Sequence, residues 1–111
     1  MDSTRQLKIG RLLQKDLGDI IQKQGLQAYD GAMVSVTAVR VSPDLSFAKV
    51  YVSVFPSSKA ADAKAKLAEG TKEIRFELGQ RVRHQLRIVP ELAFYIDDSL
   101  DYVERIDNLL K

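Results

Sequence analysis

No cysteine, a single histidine, three prolines and no long apolar run occur in the 111 residues of this chain, and each shortage closes a class of function. Without cysteine there is neither a disulfide framework nor a thiolate zinc site. That composition fits a reducing compartment, and the expected location is the cytoplasm. His84 alone cannot form a metal constellation, and no carboxylate stands at a spacing that would orient it as a general base. No Gly-rich phosphate loop is present. The chain is therefore not expected to be an enzyme or to hold a cofactor or metal. No stretch approaches the roughly 18 apolar residues of a transmembrane helix. The start, Met1-Asp2-Ser3-Thr4-Arg5, leads into charge-interrupted sequence and not into an apolar signal core, so no membrane association is expected. An excess of one charge sign is also lacking, since the formal net charge is only +2.

What is present is a normal globular hydrophobic content of 45% in a length suited to one small domain over residues 1–111. Charge is unevenly distributed. From Lys59 to Arg87 there are eight basic and four acidic residues, whereas from Glu91 to Lys111 there are six acidic and two basic. A basic region beside an acidic one can bind a polyanion locally, although clustering on a solvated surface gives the same count.

Hydrophobic periodicity supplies the elements. Residues 4–26 read as a helix capped by Ser3 or Thr4, with Ile9, Leu13, Leu17, Ile20 and Ile21 on one face and Gly25 at its end. Lys8, Arg11 and Lys15 lie roughly opposite, either as an ordinary wet face or as a phosphate-contacting one. Tyr29-Asp30-Gly31 supplies a turn. Residues 33–41 and 47–55 are β-branched, alternating strands. The short connector Ser42-Pro43-Asp44-Leu45-Ser46 makes them an antiparallel hairpin, with Ala48, Val50, Val52 and Val54 facing the core. Pro56-Ser57-Ser58 breaks the second strand and caps a helix over 59–69. Gly70 interrupts it, and a basic helix follows over 71–87, with Ile74, Leu78, Val82 and Leu86 stepping by four. On that helix Lys72, Gly79 and Arg83 fall together, a basic side whose glycine would let a phosphate backbone approach. Pro90 forbids continuation, and 92–96 form a third strand. Ser99 caps a last helix, with Leu100, Val103, Ile106 and Leu110 on its buried side. Asp97-Asp98 is either a metal or acid/base signature or, more commonly, the close of a strand and the start of a helix.

The order α-β-β-α-α-β-α, with a three-stranded sheet and helices on one face, is a two-layer α+β domain. The α-β-β-α-α-β core fits the type II KH class of RNA-binding domains. Those domains clamp a nucleic-acid backbone with a Gly-X-X-Gly loop between two helices. Here the junction reads Ala68-Glu69-Gly70-Thr71-Lys72, with no second glycine. What remains is a helix-kink-helix at Gly70.

Two blocks then become specific. Val41-Ser42-Pro43-Asp44-Leu45-Ser46-Phe47-Ala48-Lys49-Val50-Tyr51-Val52-Ser53 resembles the hairpin pattern of the bacterial ribosome-binding factor A family. Ile74-Arg75, Leu78-Gly79, Arg87-Ile88-Val89-Pro90-Glu91-Leu92-Ala93-Phe94 and Asp97-Asp98-Ser99 match its second block, in the same order and spacing. The resemblance implies a KH-like type II domain in which an Ala-X-Gly kink replaces the Gly-X-X-Gly loop. Here the matching positions read Gly70-Thr71-Lys72, with lysine where glycine is usual. The stretch between Gly79 and Arg87 is about two residues longer than in some members, so the helix is expected to run half a turn further.

The resemblance also implies a function. The family binds the free, immature small (30S) ribosomal subunit and its 16S rRNA. It assists late maturation, including 16S rRNA 5′-end processing and growth in the cold, without catalysis. A monomer is expected. From charge placement, the expected RNA-binding residues are Lys72, Arg75, Arg81, Arg83 and Arg87, with Lys8, Arg11 and Lys15 as a second set.

Overall fold

The first helix, α1 (Thr4–Gln24), begins with a capping box. The Ser3 hydroxyl accepts the Gln6 amide, and the Gln6 side chain accepts the Ser3 amide in return, satisfying two otherwise orphan donors. Gly25, at φ 82°, ends the helix in a conformation that disfavours a Cβ. A 3₁₀ turn over Leu26–Tyr29 follows, where a continuation of the helix to 26 was expected. The Tyr29 ring is buried, and its hydroxyl donates to Gln24 Oε1. The computed structural model describes residues 3–97. The helix expected after Ser99 lies outside these residues, as does Asp98.

Strands β1 (Met33–Val41) and β2 (Phe47–Phe55) form the expected antiparallel hairpin. Strand β3 (Glu91–Ile96) adds to β2 in parallel, giving the order β1-β2-β3. A bulge at Thr37 shifts the β1 register between Val36 and Ala38. Val34 and Val36 on one side of it, and Val39 and Val41 on the other, all face the helices, paired with Val54, Val52, Val50 and Ala48. A strict period of two would have turned half of them to solvent. The Thr37 hydroxyl lies 2.7 Å from Asp97 Oδ2 and 3.2 Å from the Tyr51 carbonyl. It carries one proton, and the shorter contact, to the carboxylate, takes it.

Two further helices, α2 (Ala60–Glu69) and α3 (Thr71–Val82), meet at Gly70. The Pro56-Ser57-Ser58 segment forms a 3₁₀ turn over Ser57–Lys59 and gives α2 no side-chain cap, contrary to expectation. The helices share one face of the sheet. Leu13, Leu17, Ile20, Leu67, Ile74, Leu78, Val50 and Val82 are almost fully buried there. Each of the larger side chains contributes about 1.5–3 kcal/mol relative to exposure.

A row missing from the sequence reading sets how α1 sits. Gln6, Gly10 and Gln14 step by four along the side of α1 that faces the free edge of β1. Gln6 Nε2 donates to the Val41 carbonyl at 2.8 Å and Gln14 Nε2 to the Thr37 carbonyl at 3.1 Å. Between them, a Cβ on Gly10 would lie 2.8 Å from the Val39 oxygen. The glycine permits the approach, and the two amides cap edge carbonyls that would otherwise be available to another strand.

The largest departure concerns the basic helix. It ends at Val82, not near residue 87. The amides of Gln85 and Leu86 both donate to the Val82 carbonyl, closing a turn, and Leu86 reaches the core from that turn at 7% exposure. The cause is tertiary. Arg75 donates from Nε to the Pro90 carbonyl at 3.0 Å and from Nη2 to the Val89 carbonyl at 2.8 Å. These bonds hold the 87–90 segment back alongside α3 and deliver Glu91 beside Phe47.

Candidate nucleic-acid interface

Eight cations were expected to form the binding surface, and the fold sorts them into two groups. Arg75 and Arg81 are engaged internally. Arg75 grips the 87–90 segment, as above. Arg81 reaches across to α1, with Nη1 3.5 Å from Asp16 Oδ1 and 3.4 Å from Asp19 Oδ2. Lys8, Arg11, Lys15, Lys72, Arg83 and Arg87 are exposed and make no ion pair among the described residues. Arg83 Nε lies 3.4 Å from His84 Nε2.

Helix geometry places these groups. At about 100° per residue, Lys8, Arg11 and Lys15 lie on the side of α1 opposite Leu13 and Leu17. Lys72 and Arg83 likewise lie opposite Ile74 and Leu78 on α3. Both sets therefore project from the outer face of the helix layer, away from the sheet. Asp16 and Asp19 with Arg81 occupy the seam between α1 and α3, and Glu73 and Glu77 flank that side of α3. The basic surface is thus two patches separated by an acidic seam, not one continuous stripe. Arg87 sits beyond the end of α3, off the helix face where the sequence placed it.

Gly79 serves the packing of the chain's own segment against α3. A Cβ there would lie 3.1 Å from the Val89 side chain, so the glycine admits the chain's own 87–90 segment. Gly70 forms the kink at φ −91° and ψ 7°, a conformation open to any residue. The bend does not depend on glycine's freedom. Its source is the restart of hydrogen bonding: the Gly70 amide donates to the Lys66 carbonyl, the Gly70 carbonyl accepts from Ile74, and the Thr71 hydroxyl donates to the Leu67 carbonyl.

Between α3 and the segment after it lies an open groove of about 830 Å³. Phe76, Gly79, Gln80 and Val89 line it, with Lys72 and Arg83 toward its two ends and Glu73 and Glu77 also contributing. The Phe76 ring is 69% exposed. Sequence reasoning passed over this residue, although its position off the Ile74-Leu78-Val82 row was a usable signal. The opposite face of the sheet carries Tyr51 and Tyr95, whose ring centroids are 5.7 Å apart, with Lys64 Nζ 5.6 Å from the Tyr95 centroid.

No group of three or more His, Cys, Asp or Glu side chains that could hold a metal occurs among the described residues. Asp97 accepts the Thr37 hydroxyl and helps fix the bulge. In the β1–β2 connector, Asp44 is held down to about 2 by hydroxyl hydrogen bonds from Ser42 and Ser46 and by the Ser46 amide. This is a turn lock.

Comparison with known proteins agrees with this architecture. The family model for ribosome-binding factor A matches residues 5–110. Ribosome-binding factor A of Christiangramia forsetii is 47% identical over 111 residues, covering 99% of this chain and 85% of the relative. The crystal structure of ribosome-binding factor A from Thermus thermophilus superposes with a TM-score of 0.69 at 26% identity, covering 82% of this chain and 94% of that one. A homology model of the T. thermophilus protein, fitted into a cryo-electron microscopy map of a 30S complex, gives a TM-score of 0.66 at 28% identity, covering 80% and 91% of the two chains. The chain belongs to the ribosome-binding factor A family.

Proposed function

We propose that this protein binds the free small (30S) ribosomal subunit through its 16S rRNA and assists late maturation, including 5′-end processing, without catalysing a reaction. The observation that carries the reading is the set of six exposed cations, Lys8, Arg11, Lys15, Lys72, Arg83 and Arg87, on a protein of this family. The T. thermophilus relative fitted into a 30S complex supports the choice of partner. Each cation that neutralises a phosphate releases counterions, so affinity falls with salt by a log–log slope of about 0.7–0.9 per contact. The two patches, held at a fixed separation by the Arg81 bridge and the helix packing, select a folded RNA surface by shape. Arg75 and Arg81 serve the site by holding its elements in place. The protein acts as a monomer in the cytoplasm, where subunits are assembled.

The test is a double charge reversal, Arg83→Glu with Arg87→Glu. The variant should unfold at the wild-type midpoint, since both residues are exposed, yet cease to co-sediment with small subunits. Unchanged co-sedimentation removes these residues from the interface. Deletion of the gene should leave unprocessed 16S rRNA precursor and excess free subunits, most severely in the cold, and normal ribosome profiles at low temperature would count against the reading.

A further inference from the structure

We infer that the groove on α3 takes an unpaired base of single-stranded RNA, stacked on the Phe76 ring with the adjoining phosphates on Lys72 and Arg83. The inference rests on the RNA-binding reading above and deepens it.

Among the described residues, Phe76 is not part of the hydrophobic core. The core side of α3 is complete with Ile74, Leu78 and Val82, each at most 1% exposed, while the Phe76 ring stands 69% exposed beside the groove. At about 100° and 1.5 Å per residue, Lys72, Phe76 and Arg83 fall within about 40° of one another along α3. The lysine precedes the ring by about 6 Å and the arginine follows it by about 10 Å. A cation on each side of an exposed ring, along one line, is the arrangement that holds a nucleotide by its base face and its flanking phosphates. Neither cation is in an ion pair among the described residues. The groove volume of about 830 Å³ lies in the range of ligand clefts, about 300–1,000 Å³. Val89 and Gly79 supply its apolar wall. Glu73 and Glu77, on the flank toward α1, repel phosphate and confine the strand to the Lys72–Arg83 line. A paired base offers no free face, so the ligand is a loop, bulge or single-stranded end. A protein side chain would also find an apolar wall here, but the collinear cations favour a polyanion.

The test compares wild type, Phe76→Leu and Phe76→Tyr on isolated small subunits, reading co-sedimentation and 2′-hydroxyl acylation of the RNA. Phe76→Leu should melt as wild type does and bind about tenfold more weakly, with an unchanged salt slope because no phosphate contact is lost. Phe76→Tyr, which keeps the ring, should restore affinity to within about twofold. An unpaired nucleotide protected by wild type should become reactive with the leucine variant alone. Leucine binding as tightly as phenylalanine overturns the inference. So does weaker binding with no nucleotide change, which assigns the groove to a ribosomal protein. A wild-type protein that does not sediment at all overturns the RNA-binding reading itself.

Discussion

Alanine at Gly10 should destabilise the protein, while alanine at Gly18 on the same helix should stabilise it. Both substitutions gain helix propensity of about 0.5–1 kcal/mol. At Gly18 nothing among the described residues lies within 4 Å of the added methyl, so that gain should appear in full. At Gly10 the methyl would meet the Val39 carbonyl oxygen at 2.8 Å. The oxygen is backbone and cannot rotate away, so α1 must lift from the edge of β1. Overpacking of this kind costs about 1–3 kcal/mol. The lift also stretches the Gln6–Val41 and Gln14–Thr37 bonds, now 2.8 and 3.1 Å, each with a net contribution of about 1 kcal/mol. Subtracting the propensity gain leaves a net loss of about 2–4 kcal/mol at Gly10. Urea unfolding of the two variants beside wild type reads the difference directly. Midpoints that shift in the same direction would refute the argument that the Gln6-Gly10-Gln14 row docks α1.

Three other outcomes follow. Arg75→Met removes two charge-assisted bonds to the Val89 and Pro90 carbonyls and should cost about 1–3 kcal/mol, with faster protease cleavage in 84–89 as the second readout. Among the described residues, Gly70→Ala meets no atom closer than the Lys66 carbonyl at 3.4 Å. It should keep the kink and be neutral to stabilising by up to about 1 kcal/mol in thermal melts. The Asp44 carboxyl, held at about 2 in the folded protein against an ordinary 3.8, favours the fold above the higher value. That contribution fades as pH falls through about 2. An NMR titration of its carboxyl carbon should show the low midpoint, and Ser42→Ala should raise it, Ser42 being the largest cause.

The elements were legible where a single local pattern ruled. The apolar face of α1, the Ser3 cap and the alternating valines of β2 each state their structure within a few residues. The phase change in β1 was present as well: Val34 and Val36 keep one parity, Val39 and Val41 the other, and only a bulge turns all four toward the core. The end of α3 was not legible, because Leu86 continues the four-residue step while Arg75 draws the chain back from a distance of 15 residues. The same long-range bonds explain why charge alone overcounted the interface. A guanidinium in the sequence does not reveal whether a carboxylate such as Asp16, or a carbonyl such as that of Val89, will claim it. Phe76 went unread for the converse reason, since its meaning comes from the groove opened beside it by the turn after Val82.

Co-sedimentation of the purified protein with small subunits across a salt series is the most direct test of the central claim, that six exposed cations hold RNA while Arg75 and Arg81 hold the fold. Wild-type affinity should fall steeply with salt. Lys8→Gln, Lys72→Gln and Arg83→Gln should each flatten the slope by about 0.7–0.9, and Arg81→Gln should leave it unchanged. Salt-insensitive binding, or a slope that flattens as much for Arg81→Gln as for Arg83→Gln, would contradict the account.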